Sequence, residues 1–198
     1  MWLIMGKLTT ITGPMFSGKT TELLRIYSRE EIGKRKSLLF KPAMDNRYSE
    51  SKVVNHDGRA IPANIVKTSE EIYQTTMDYL ESEENRASAL VNVFIDEVQF
   101  FDSDILDVIK KLTNKEINVF TSGLNQTYLG DPFPFKDGKN HIGFLMAISD
   151  YVIHLDAVCN NCGEAATKTY RKGEQKETVI IGGTDLYQAR CVNCFKQK

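Results

Sequence analysis

The sequence predicts an α/β domain built on a parallel sheet, followed by a small cysteine-bearing appendage. Three observations carry this. Short β-rich runs alternate with helical periodicity over residues 7–155, a pattern that places helices on both faces of parallel strands. The first β-rich run leads into the glycine-bounded turn GPMFSGKT at 13–20 and then into a helix. From about residue 158 the chain turns polar and rich in Lys, Glu and Gly, and two Cys-x-x-Cys pairs supply the staple such a piece needs in order to fold.

The elements follow in order. KLTTITG (7–13) is a strand entering a loop. Residues 19–31 carry Leu23, Leu24 and Ile26 on one side of a helix. SLLFK (37–41) is the second strand. Residues 42–64, polar and broken by prolines and an Asp-Gly, form a long connection of the kind that is often functional. TSEE at 68–71 is a capping box, so a helix runs from Ser69 towards Ser82. ALVNVFI (89–95) is the third strand. Ile105, Val108, Ile109 and Leu112 mark an amphipathic helix. INVFTSG (117–123) is a strand, FLMAISD (144–150) a short helix and YVIHL (151–155) a fifth strand. The division is 1–157 for the α/β part and 158–198 for the cysteine part.

Length and charge narrow the function. A chain of 198 residues has ample core for one domain and an appendage. Lys plus Arg number 25 and Asp plus Glu 26, a formal net charge of −1. That balance excludes a generally electrostatic nucleic-acid binder. No run approaches the ~18 apolar residues needed to cross a bilayer, and MWLIMGKLTT does not read as a signal peptide. The expected setting is a reducing cytoplasm, where four cysteines serve a metal rather than disulfides.

GPMFSGKT fits the phosphate loop Gly-x-x-x-x-Gly-Lys-[Ser/Thr]. Gly13 and Gly18 let the backbone turn N–H groups onto a polyphosphate, and the helix that follows presents its positive end. Lys19 suits the β- and γ-phosphates, and the Thr20 hydroxyl suits Mg²⁺. A chance match in a strand–turn–helix is the alternative. VNVFIDEVQFF at 91–101 ends a strand in two acids, where parallel sheets place ligands. Asp96 would hold Mg²⁺ opposite Thr20. Glu97 would lie near the γ-phosphate and prime either a water or a substrate hydroxyl. Phe100 and Phe101 suit a site that stacks on a flat ring, although at least one of them is expected in the core. Cys159, Cys162, Cys191 and Cys194 have the pairing of a closed, structural Cys₄ zinc site. The tied loop between the pairs, with IIGG at 180–183, would make a lid.

Taken together, GPMFSGKTTELL, KPAMDNRY, DEVQFF and the cysteine pairs flanking VIIGGTDLY resemble the zinc-containing (type II) thymidine kinase family from about residue 7 to 194. The resemblance implies a RecA-like P-loop NTPase core plus a zinc ribbon carrying a lasso loop. It implies transfer of the γ-phosphate of Mg-ATP to the 5′-hydroxyl of thymidine or deoxyuridine, with Glu97 as general base. Gly13, Pro14, Met15, Phe16, Ser17, Gly18, Lys19 and Thr20 correspond to the ATP phosphate loop. Asp96 and Gln99 belong to a second nucleotide segment, and Asp45 and Arg47 lie near the phosphates. Thr178, Val179, Ile180, Ile181 and Gly182 match the lasso backbone over the thymine, with Tyr187 against the nucleoside. Met15, Phe100, Leu124, Tyr128, Phe133 and Thr169 fall at base-pocket positions. A homotetramer inhibited by dTTP is implied as well, with no membrane or nucleic-acid partner. Val98, Tyr128 and PFPF (132–135) depart from the usual family pattern. The competing classes are a P-loop ATPase or nucleic-acid motor with Glu97 priming water, and a zinc-ribbon binding module that uses nucleotide as a switch.

Overall fold

The computed structural model describes residues 5–43, 52–54, 60–82, 90–173 and 186–195. Strand β1 (Leu8–Gly13) is followed by helix α1 (Lys19–Ile32), β2 (Lys36–Pro42), β3 (Lys52–Val54), β4 (Ala60–Pro62) and β5 (Asn64–Val66). Then come α2 (Ser69–Glu81), β6 (Leu90–Ile95), α3 (Ile105–Thr113), β7 (Asn118–Leu124), α4 (Ile142–Ile148) and β8 (Tyr151–His154). The cysteine part contributes β9 (Ala157–Val158), β10 (Ala165–Ala166), β11 (Lys168–Arg171) and β12 (Tyr187–Arg190).

Six strands form one sheet in the order β5-β2-β6-β7-β1-β8, and every pairing in it is parallel. Successive side chains along a strand point to opposite faces, and the packing separates accordingly. Ile11, Leu39 and Phe94 face Leu23, Leu24 and Tyr27 of α1. Phe40, Val93, Ile95 and Val119 face Ile72 of α2 and Ile105, Val108, Ile109 and Leu112 of α3. Burial on both faces is why residues 93–95 read as an unbroken apolar run rather than an alternating one.

The expected elements form, with shifts at their ends. Thr68 caps α2 by accepting from the Glu71 N–H at 3.4 Å. In return the Glu71 carboxylate accepts from the Lys67 N–H at 2.8 Å, one residue before the cap. Helix α4 begins earlier than FLMAISD suggested, because His141 Nδ1 accepts from the Gly143 N–H at 3.1 Å and starts it.

The connection 42–64 holds more structure than its composition suggested. Strands β3 and β4 pair antiparallel, and their Val53 and Ile61 join the α1 side of the core. Strand β5 adds a sixth strand beside β2, pairing Phe40 with Asn64 and Pro42 with Val66. Three residues are too few to show a period, and a Pro at 62 hides them further.

In the cysteine part, β9 pairs with β10 and β11 with β12, both antiparallel. Its small core is Ala157, Cys159, Ala166, Ala189 and Cys191, joined by Phe16 of the phosphate loop and by Cys194.

Phe94 is fully buried, stacked on Phe120 at 4.6 Å and edge-on to Tyr27 at 5.1 Å. Phe94→Ala is expected to cost about 3–5 kcal/mol in urea unfolding. A loss below about 1 kcal/mol would show that the α1 side of the core is not packed around this ring.

Candidate active site and cysteine cluster

Strands β1, β6 and β7 end together. Gly13 stands opposite Leu124 across β1 and β7, and Ile95 opposite Thr121 across β6 and β7. The loop after β1, the acids after β6 and the end of β7 therefore share one edge, the usual ligand edge of a parallel sheet.

Gly13 is required there by close approach. A Cβ on it would lie 2.2 Å from the Leu155 carbonyl oxygen and 2.9 Å from Ser17 Oγ. Gly18 starts α1 in the left-handed region, at φ 81°. The loop is braced from within and without. Ser17 Oγ donates to the Pro14 carbonyl at 2.9 Å, and Lys19 Nζ donates to the same oxygen at 2.6 Å. The Met15 N–H donates to Thr169 Oγ1 at 2.9 Å, which ties the loop to β11. Lys19 is 9% exposed. Burial pulls its pKa below the ordinary lysine value, while the nearby charges of Glu97 and Asp96 push it back up.

Asp96 is buried behind Lys19 and Thr20. Thr20 Oγ1 lies 3.2 and 3.1 Å from the two Asp96 carboxylate oxygens, and Ser122 Oγ donates to Oδ1. Burial and the charge of Glu97 raise the Asp96 pKa to about 6, against the opposing hydrogen bonds from Ser122 and Thr20. Thr20 and Asp96 thus bring a hydroxyl and a carboxylate side by side, the hard oxygen donors that suit Mg²⁺.

Glu97 sits half-exposed at φ 51° and ψ 43°, left-handed geometry for a residue with a Cβ. Such a conformation costs on the order of 1–2 kcal/mol. It turns the chain sharply out of β6 into a single 3₁₀ turn at Val98–Phe100. Gln99 in that turn donates through Nε2 to Glu97 Oε2 and accepts at Oε1 from the Leu124 N–H. Val98, the departure noted in the sequence, is fully buried in the main core, with Cγ1 directed at Gly123.

The two phenylalanines divide. Phe101 is fully buried in the core, whereas Phe100 is half-buried and edge-on to Phe133 at 5.8 Å. Leu124 and Tyr128 are half-buried as well, and Phe133 is buried. Tyr128 lies under the Arg171 guanidinium, 3.6 Å from the ring centre. Lys168 Nζ donates to Gln126 Oε1 at 2.8 Å, a second tie between β11 and the loop after β7. Tyr187 lines a cavity of about 380 Å³ with Phe16 and residues of the cysteine part. Asp45, Arg47, Thr178, Val179, Ile180, Ile181 and Gly182 lie outside the described residues.

Sequence reasoning missed Ser122, Gly123 and Arg171. Ser122 and Gly123 end a strand beside the acids, and only the register β6–β7 reveals what they face. Arg171 alternates with Thr169 along β11, a period-2 signal hidden by the cysteine spacing.

Among the described residues, Cys159, Cys162, Cys191 and Cys194 form the one cluster able to hold a metal, with their sulfurs all within 4.8 Å of one another. A Zn–S bond of about 2.3 Å requires tetrahedral edges of about 3.8 Å, and Cys162 and Cys191 stand 3.6 Å apart. Burial acts to raise the Cys159 thiol, but the N–H groups of Cys191, Asn161 and Cys162 outweigh it and bring the thiol to about 6. The donor set and its N–H surroundings fit zinc and leave no position for a substrate. Cys191→Ser is expected to release about one metal ion per chain by elemental analysis and to lower the thermal midpoint. A metal-free variant with an unchanged midpoint would show that the thiols stabilise nothing.

The thymidine kinase family model matches residues 6–195. The chain is 39% identical to a thymidine kinase of Thermococcus kodakarensis, over 94% of this chain and 92% of the relative. It is 36% identical to a thymidine kinase of Pseudothermotoga lettingae, over 97% and 96%. With the phosphate loop, the acidic pair and the cysteine cluster in one molecule, the chain belongs to the thymidine kinase family.

Proposed function

We propose that this nucleoside kinase moves the γ-phosphate of ATP to the 5′-hydroxyl of thymidine with Glu97 as the general base. Family membership carries the reaction class and its two substrates. The observation that carries the base is the placement of a half-exposed Glu97 carboxylate next to buried Lys19 and Asp96 and the Thr20 hydroxyl.

The residues divide the work. Gly13 to Thr20 cradle the triphosphate, and Lys19 meets charge on the β- and γ-phosphates. Thr20 and Asp96 would hold Mg²⁺, which when bound spreads the phosphate charge. Glu97 accepts the proton of the 5′-hydroxyl as its oxygen bonds to the γ-phosphorus and the bond to ADP breaks. Such a base contributes about 10²- to 10⁴-fold. Met15, Phe100, Leu124, Tyr128, Phe133, Thr169 and Tyr187 would contact the nucleoside, with Thr178 to Gly182 as the lasso over the thymine. Asp45 and Arg47 would stand near the phosphates, and Asp96 and Gln99 in the second nucleotide segment.

The coarser architecture follows the same reading. The α/β part, 1–157, binds ATP, and 158–198 is a zinc ribbon whose metal is structural. The small core around Cys159, Ala166, Ala189 and Cys191, with Ala157 at the boundary, supports that division. Deoxyuridine is a second substrate, dTTP an end-product inhibitor in the same site, the assembly a homotetramer and the setting cytoplasmic. No helix among the described residues is long and apolar enough to cross a membrane.

ADP release with a panel of nucleosides tests the reading. Thymidine and deoxyuridine should stimulate release, and deoxycytidine and deoxyguanosine should not. Glu97→Gln should lose about 10²- to 10⁴-fold in turnover while still binding ATP. Near-parental turnover in that variant would remove the base assignment. Release stimulated by nucleic acid and indifferent to nucleosides would favour the motor reading.

A further inference from the structure

Gln99 is 1% exposed, and this chain itself engages both ends of its amide. The Leu124 N–H can only donate, so the Gln99 oxygen must face it, at 3.1 Å. That leaves the NH₂ group for the Glu97 carboxylate, at 2.5 Å. The orientation is therefore forced by the partners on each side.

The space around the amide is equally constrained. A Cβ at Gly123 would lie 2.5 Å from Gln99 Oε1 and 2.9 Å from Val98 Cγ1. Gly123 is thus the surface on which the amide and the valine rest. The turn is closed by the Phe100 N–H to the Glu97 carbonyl at 3.0 Å and the Phe101 N–H to the Val98 carbonyl at 3.2 Å. Buried Val98 and Phe101 anchor its far side.

We infer that Gln99 is the positioning residue of the base: it holds the Glu97 carboxylate in place and ties it to the end of β7, with Gly123 as part of the same device. This rests on the reading of Glu97 as the base. Gln99 then acts on the reaction through Glu97, with its amide oxygen on the Leu124 N–H and its NH₂ on the Glu97 carboxylate. Val98 finds its reason here too, as the wedge that fixes the turn against Gly123.

The test is steady-state kinetics on the full chain with Glu97→Gln, Gln99→Met, Gly123→Ala and the last two combined. Gln99→Met keeps the volume and removes the donor. It should lower kcat about 10- to 100-fold and leave both KM values within about 3-fold. Gly123→Ala presses on the amide from behind and should lower kcat by itself, but by less than about 2-fold further in the Gln99→Met background. A merely structural role would lower the thermal midpoint and give additive losses instead. An inactive Glu97→Gln beside a Gln99→Met with parental kcat overturns this inference and leaves the base standing. A raised KM for ATP at parental kcat also overturns it, by making Gln99 a direct contact. An active Glu97→Gln removes the base reading and this inference together. Should Gln99→Met fail to fold, a parental kcat in Gly123→Ala overturns it.

Discussion

The Asp96 carboxylate is held almost out of water between the hydroxyls of Thr20 and Ser122, and much of the site is arranged around it. Thr20 comes from the start of α1, Asp96 from the end of β6 and Ser122 from β7. These can meet only if the strands are parallel and in the observed register. The pairing of β1 with β8 brings the Leu155 carbonyl against Gly13, and so sets where the phosphate loop begins.

The fold carries this arrangement at a cost. Burial drives Asp96 upward and Lys19 downward in pKa, each towards its neutral form. Glu97 adds a left-handed backbone at the turn. The surrounding structure absorbs these costs through the core on both faces of the sheet and through the bonds that brace the loop, among them the one from Met15 to Thr169. That bond also joins the cysteine part to the phosphate loop, as does Phe16 within the small cysteine core. The cysteine cluster is therefore mechanically close to the phosphate loop.

Legibility in the sequence followed the length of each signal. The phosphate loop, the acidic pair and the cysteine quartet are local patterns, and the structure brings the described members of each together. The strands flanking them were long and apolar enough to read. Strand β5 was not, because three residues beside a proline carry no period. Ser122 and Gly123 were invisible for another reason: their meaning lies in what stands across the sheet, which no local pattern records. Val98 looked anomalous in the chain and became ordinary once its burial against Gly123 was seen.

On the proposed reading the adjacent acids divide the labour, Asp96 serving the metal and Glu97 the proton. The most direct measurement of that division is the Mg²⁺ dependence of residual turnover in Asp96→Asn and Glu97→Gln. The division predicts that Asp96→Asn shifts the half-saturating Mg²⁺ concentration upward, by about tenfold or more. Glu97→Gln should lower the plateau and leave that concentration where it was. A shifted requirement in Glu97→Gln, or an unshifted one in Asp96→Asn, would contradict the account.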